Sequence, residues 1–137
     1  MLYDCVMTPA ISELEDAGFE YELLHYDHDP SVGSYGGEAA NKLGLTEKTV
    51  FKTLMSELNT GELVICLIPV SSSLNLKAVA KAAGVKRAFM ADGKVAERRT
   101  GYVLGGISPF GQSRRHRTFV EKIALSMDSL YVSAGKR

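Results

Sequence analysis

Lys52 stands in the run TVFKTLM, where alternation places Val50, Lys52 and Leu54 on one face of a strand and Phe51, Thr53 and Met55 on the other. A lysine between two aliphatic residues on one face breaks the pattern of a core-facing strand. Two readings follow. The ammonium is held rigidly at the floor of a pocket, opposite a phosphate, carboxylate or developing oxyanion; or it is an edge lysine whose charge blocks association with another strand. The second candidate is the glycine-rich stretch GYVLGGISPFGQSRRHR at residues 101–117. Gly105, Gly106 and Gly111 can offer backbone N–H groups close together, as anion nests and oxyanion holes do, with Ser108 adding a hydroxyl and Pro109 stiffening the turn. The same glycines also suit a plain tight turn between strands. GGISPFGQS lacks the GxxxxGK[ST] spacing of a phosphate loop, and Ser108 lies between Ile107 and Pro109, outside any GxSxG elbow. Nucleotide hydrolysis and serine-hydrolase chemistry therefore lack support. Directly after the loop, Arg114, Arg115 and Arg117 can meet phosphates of a polynucleotide backbone or form a solvated turn.

Other chemistry is poorly supplied. The chain has three histidines, and no serine or cysteine beside one marks a nucleophile–base pair. His28-Asp29-Pro30 reads as a functional loop or as an Asp-Pro turn, and Tyr26 and Tyr35 flank it as pocket walls or as ordinary half-buried tyrosines. The two cysteines, Cys5 and Cys66, have neither CxxC nor metal-ligand spacing, so free thiols in a reducing cytoplasm are expected and a metal site is not. An enzyme built this way would hold and polarise its substrate more than attack it.

The elements that must carry these residues are legible in outline. Thr8-Pro9 before AISELEDAG predicts a helix capped by Thr8 and ended at Gly18. FEYELLHY alternates Phe19, Tyr21 and Leu23 and predicts a half-buried strand; HDPSVGSYGG predicts a surface loop, followed by a short helix in GEAANKLGL stopped at Gly44. TVFKTLMSEL and ELVICLIPV predict two strands joined at Asn59-Thr60-Gly61. SLNLKAVAKAAGV predicts a helix with Leu76, Val79, Ala80 and Ala83 inward. KRAFM predicts a short strand, DGKVAERRTG a helix, and TFVEKIA and LYVSA further strands. Strands and helices without strict βαβ alternation predict an α/β or α+β domain around a mixed, largely antiparallel sheet.

Composition agrees with one such domain over residues 1–137, at 45% hydrophobic and 23% charged residues. The longest apolar run, LVICLIPV at residues 63–70, falls far short of the roughly 20 residues that span a bilayer. No secretory leader pattern is present, so a cytoplasmic protein with no membrane partner is expected. The formal net charge of zero hides a strong asymmetry: residues 1–62 carry twelve acidic and three basic side chains, and residues 77–117 carry ten basic and two acidic. Either the basic half meets a polyanion, or the two halves attract each other within one fold.

Eight segments then carry a resemblance, in this order: MTPA (7–10), HYDHDP (25–30), KLGL (42–45), VFKTL (50–54), LNLKAVAKAAGVK (74–86), MAD (90–92), TGYVLGGISPFGQ (100–112) and YVSAGKR (131–137). Together they resemble the YbaK family of freestanding aminoacyl-tRNA deacylases, related to the editing domain inserted in some bacterial prolyl-tRNA synthetases. The likeness is closest to the branch that clears cysteine from mischarged tRNA(Pro). GGISP combined with the upstream FKTL lysine is far more specific than either alone.

The resemblance implies a mixed α/β fold with a mostly antiparallel, barrel-like sheet flanked by helices. It implies a reaction without a protein nucleophile, in which the substrate's own thiol attacks its ester carbonyl and leaves as cysteine thiolactone. By position, Lys52 and Gly105 are the implied catalytic residues; Tyr26, Tyr35, Gly106, Ser108 and Ser133 bind substrate. Tyr35 replaces the phenylalanine usual in the family. Arg114, Arg115 and Arg117 are the implied contacts to the tRNA backbone. The implied partners are the acceptor end of tRNA(Pro) and prolyl-tRNA synthetase, with no DNA, metal or nucleotide cofactor. Hydrolysis of Ala-tRNA(Pro) and a non-catalytic tRNA- or synthetase-binding module are the alternatives. The family pattern continues past GKR with another strand and helix, so this chain is expected to lack both.

Overall fold

The longest apolar run becomes the middle of the sheet. In a computed structural model, which describes residues 7–29, 31 and 35–136, every residue of β2 (Leu63–Pro69) is buried. A strand buried on both faces needs cover on both sides, and this requirement organises the rest. β1 (Phe51–Leu58) pairs antiparallel with β2 in a register running from Phe51 opposite Pro69 to Glu57 opposite Leu63. The turn joining them closes with the Gly61 N–H donating to the Leu58 carbonyl, at the Asn59-Thr60-Gly61 position expected.

β3 (Ala88–Met90) adds antiparallel to the far side of β1, and β4 (Thr118–Val120) adds parallel to β2. The order is β3-β1-β2-β4, a mixed and mostly antiparallel sheet. Among the described residues it stays open and does not close into the barrel-like form expected: its edge strands have three residues each, too few to meet around a barrel.

Alternation along the paired strands splits the core in two. Met55, Leu63 and Ile65 pack with Ala10 of α1 (Pro9–Ala17), Ala96 of α4 (Gly93–Thr100), Tyr102 and Ile107. Leu58, Val64 and Cys66 pack with Val79 and Ala80 of α3 (Leu76–Ala83) and with Ala88. The helices start and stop where their caps dictate. Thr8 Oγ1 accepts from the Ile11 N–H at 3.2 Å, the Asn75 side chain accepts from Ala78 N–H at 3.1 Å, and Asp92 accepts from Lys94 and Val95.

Three expectations are corrected. Residues 19–26, expected as a strand, form none among the described residues, and Phe19 is 66% exposed. Alternating side chains record a local conformation and carry no information about a partner edge. Tyr35, Gly36 and Gly37, expected in the preceding loop, form the first turn of α2 (Tyr35–Leu43). A β-carbon at Gly36 would lie 2.2 Å from Val70 Cγ1, so this glycine lets the helix approach the sheet instead of marking a turn. Pro30 and residues 32–34 of that expected loop lie outside the described residues, as does Cys5. Finally, the LYVSA segment makes a single parallel bridge, Tyr131 to Val50, and TFVEKIA gives strand only over β4 before a 3₁₀ turn at Lys122–Ser126.

The glycine loop is fastened to α1 at Gly111. Its φ is +65°, its N–H donates to the Glu13 carboxylate, and a β-carbon there would stand 2.3 Å from the backbone carbon and oxygen of Pro9. Gly84 has a similar φ of +74° but open space around it. Gly84→Ala is therefore expected to cost only the left-handed backbone penalty, about 1–2 kcal/mol. Gly111→Ala is expected to cost at least twice that, roughly 3 kcal/mol or more, because backbone cannot rotate away as a side chain does. Urea unfolding of both variants checks this; equal midpoints would mean the loop moves off α1 freely.

Candidate active site

A cleft of about 1070 Å³ opens between residues 19–26, α2, the start of β1, the glycine loop and residues 128–136. Six of the residues singled out in the sequence line it: Tyr26, Tyr35, Lys52, Gly105, Ser108 and Ser133. Lys52 is half-buried on β1 between the buried Phe51 and Thr53, so it is not on a bare sheet edge. β3 does not reach this part of β1, and the chain around Tyr131 runs beside it instead: Phe51 N–H donates to Tyr131 O at 2.8 Å and Tyr131 N–H to Thr49 O at 2.9 Å. That contact carries Ser133 to the cleft. Among the described residues the Lys52 ammonium has no recorded hydrogen bond or ion pair.

Of the loop's three glycines at 105, 106 and 111, Gly105 alone lines the cleft, in place of the series expected. Gly105 is exposed with φ +83°, and a β-carbon on it would meet the Tyr35 ring at 2.2 Å. Gly106 is buried, does not line the cleft, and spends its N–H on the Val103 carbonyl at 2.9 Å. Ser108 is fully buried; its hydroxyl accepts from the Phe110 N–H at 3.2 Å and its carbonyl accepts from Gln112 Nε2 at 2.9 Å. The Tyr102 hydroxyl donates to the Phe110 carbonyl at 2.6 Å, closing the loop. These bonds hold the turn that presents Gly105.

Sequence reasoning missed the residue that sets the two tyrosines. Glu38 on α2 is only 4% exposed, and its carboxylate accepts from His28 Nδ1 at 2.7 Å and from the Asp29 N–H at 2.8 Å, with Lys42 Nζ at 3.6 Å. The chain near Tyr26 is thereby tied to the helix that begins at Tyr35, and the His28 ring lies 5.0 Å from the Tyr35 ring. Burial, and secondarily the Glu38 charge, push the Tyr26 hydroxyl above its ordinary range. The His28 hydrogen bond leads in holding Glu38 below the usual carboxylate range, helped by the Asp29 N–H and the Lys42 charge against burial. The only sequence signal was the Glu38–Lys42 spacing, which reads as an ordinary surface pair. Asp29 accepts from both the N–H and the hydroxyl of Ser31.

The arginine run does not reach this cleft. Arg115 and Arg117 line a separate depression with Arg99 and His116, and Arg117 is held by Glu62 through two hydrogen bonds of 2.7 and 2.8 Å. One ion pair thus does join the acidic and basic halves of the chain. Among the described residues no cleft serine or cysteine is hydrogen-bonded to a histidine, and no cluster of His, Cys, Asp and Glu is arranged to hold a metal ion. Cys66 is buried, and burial pushes its thiol pKa up, away from reactivity. The cleft can bind and polarise: an ammonium and a backbone turn face a space walled by two tyrosines.

Because Glu38 is depressed by its partners, it contributes stability above its unfolded pKa of about 4.5. That contribution is lost as pH falls through the lower folded value. Glu38→Gln keeps the shape and removes the charge, so its acid unfolding limb is expected to be flatter than that of the parent below about pH 5. Thermal melts across that range check this; parallel limbs would show that the carboxylate is not the titrating group.

The comparisons with known proteins bear on this geometry. The family model for the aminoacyl-tRNA editing domain matches residues 29–137. EbsC of Enterococcus faecalis, provisionally named a Cys-tRNA(Pro)/Cys-tRNA(Cys) deacylase, is 39% identical over 118 residues, covering 86% of this chain and 70% of EbsC. The crystal structure of the hypothetical protein APE2540 superposes with a TM-score of 0.84 at 26% identity, over 94% of this chain and 83% of that one. The fold also matches, at TM-score 0.76 and 20% identity, a crystal structure described provisionally as a trans-editing enzyme for prolyl tRNA synthetase, over 93% of this chain and 79% of that one. A cleft walled by tyrosines, floored by Lys52 and edged by the GGISP turn is thus set in a chain that belongs to the aminoacyl-tRNA editing domain family.

Proposed function

We propose that the protein is a cytoplasmic trans-editing deacylase that clears cysteine from mischarged tRNA(Pro), working as one editing domain. The observation that carries this reading is the pairing of Lys52 and Gly105 in a cleft where, among the described residues, no nucleophile–base pair is formed. A reaction there must draw its nucleophile from the substrate or from water. The thiol of the esterified cysteine is already tethered to the carbonyl it attacks, which gives it a high effective concentration. Its sulfur bonds to the carbonyl carbon, the bond to the terminal ribose oxygen breaks, and the thiol proton ends on that oxygen. Cysteine leaves as a thiolactone and free tRNA remains, with no water consumed.

In this reading each residue has a limited task. The Gly105 backbone and the Lys52 ammonium stabilise charge developing at the reacting end of the tRNA. Tyr26 and Tyr35 wall the aminoacyl group, and Ser133 stands at the rim. Gly106 and Ser108 act by holding the turn that presents Gly105. Prolyl-tRNA synthetase supplies part of the discrimination for tRNA(Pro).

The test is deacylation of Cys-tRNA(Pro) beside Ala-tRNA(Pro), with product analysis, by the full chain and by Lys52→Ala. Loss of cysteine as thiolactone is expected, reduced about 100-fold or more by the substitution. Release of free alanine, with Cys-tRNA(Pro) untouched, would instead make the chain an Ala-tRNA(Pro) hydrolase. No clearance of either substrate by a folded chain would leave it a binding module.

A further inference from the structure

The cleft does not use the strongest concentration of positive charge in the molecule. Arg99 at the end of α4, Arg115, His116 and Arg117 line a second depression of about 480 Å³ together with Gly61, Glu62 and Leu63. Lys52 pairs with Ile68, so this depression, at Leu63, lies about 17 Å further along β2, at the turn end of the hairpin. The lining of the first cleft sets Lys52 and Lys136 against Glu15, Glu20, Glu22 and Asp128. Such a balance gives little net attraction for a polyanion, so its backbone must be gripped elsewhere.

Two nitrogen atoms among the residues lining the second depression are buried without a hydrogen-bond partner among the described residues: Arg99 Nε and His116 Nε2. A guanidinium N–H left unpaired is costly, and an anionic oxygen removes that cost. The protonation of His116 follows from its neighbours. Gln112 gives its Nε2 to the Ser108 carbonyl at 2.9 Å, so its Oε1 faces His116 Nδ1 at 2.9 Å. An amide oxygen only accepts; Nδ1 therefore carries a hydrogen, and Nε2 becomes a donor only when the ring gains a second proton. The charged groups around the ring are Arg99 from α4, Arg114, Arg115 and Arg117 on its own segment, and Glu62 from the hairpin, whose carboxylate is taken by Arg117. Burial first, then Arg99 and Arg114, hold His116 below the ordinary histidine range. An entering anion reverses that balance.

We infer that this depression is a proton-linked phosphate site, in which Arg99 and Arg115 grip a polynucleotide backbone phosphate and the His116 ring takes up a proton to donate from Nε2 to the same group. The identification of the phosphate as part of a polynucleotide rests on the tRNA reading above. At about 3.4 Å of axial rise per stacked nucleotide, the site meets the strand roughly five nucleotides from the end held at Lys52. The chain Ser108, Gln112, His116 connects it to the turn that presents Gly105.

The experiment uses the full chain and an uncharged RNA hairpin with an acceptor-type stem and single-stranded 3′ end, binding being read by fluorescence anisotropy. Arg115 is exposed, so Arg115→Gln leaves the fold alone; thermal melts check Arg99→Gln and His116→Gln. Arg115→Gln is expected to weaken binding about tenfold and to lower the salt slope by about 0.7–0.9. The parent is expected to bind more tightly near pH 6 than near pH 8, and His116→Gln to bind equally at both. Unchanged affinity and salt slope in both arginine variants would overturn the site. A pH difference surviving in His116→Gln would overturn the proton linkage. Inorganic phosphate provides the other arm: if it stabilises the parent but not Arg115→Gln while the RNA does not bind, the polynucleotide assignment is wrong. Deacylation is not read at all, so failure of the editing reading and failure of this site remain separate results.

Discussion

Burial of β2 on both faces is the constraint from which the rest follows. A seven-residue strand with no exposed position must be covered by helices on each side and flanked by strands on each edge. Its antiparallel register with β1 then decides which β1 side chains enter the core. A slip of one residue would exchange Met55 for Ser56 in the cluster shared with α1 and α4, and would carry Lys52 to the other face. The position of the ammonium is thus secured by the same apolar contacts that hold the sheet.

Around that frame the site is assembled by close backbone approaches. Gly36 lets α2 come within contact of Val70, Gly105 lies against the Tyr35 ring, and Gly111 rests on the first turn of α1. Each is a place where a methyl group would overlap a neighbour, so the glycines act as packing residues as much as turn formers. The polar counterpart is Glu38, buried on α2 and saturated by His28, Asp29 and Lys42. A buried carboxylate is tolerable only with such partners, and the partners belong to the segment carrying Tyr26. Removing water from one carboxylate thereby orders the wall of the cleft.

Charge in the molecule is divided by task. Acidic side chains surround the cleft with Lys52 among them, and the arginines gather at the opposite end of the hairpin. The Glu62–Arg117 pair is one direct bond between the acidic and basic halves, and it leaves Arg99, Arg114 and Arg115 out of ion pairs among the described residues. Mutual attraction of the halves therefore accounts for only part of the asymmetry.

The sequence by itself determined what is local. Thr8, Asn75 and Asp92 cap helices, the Asn59-Thr60-Gly61 turn joins two strands, and alternation singled out Lys52, because caps, turns and strand faces depend on residues within a few positions. Local composition pointed to Gly105, Tyr26 and Tyr35, and motif order added Ser133; all four share one cleft. Only the tertiary structure decided what depends on a distant partner. Residues 19–26 alternate like a strand but meet no edge, and Gly106 loses its N–H to Val103 inside the turn. Glu38 looks like a surface helix residue until Gly36 brings its helix against Val70. Arg117 reads as free cation until it meets Glu62, 55 residues away. Burial and pairing are properties of contacts between remote segments, and neither periodicity nor spacing records them.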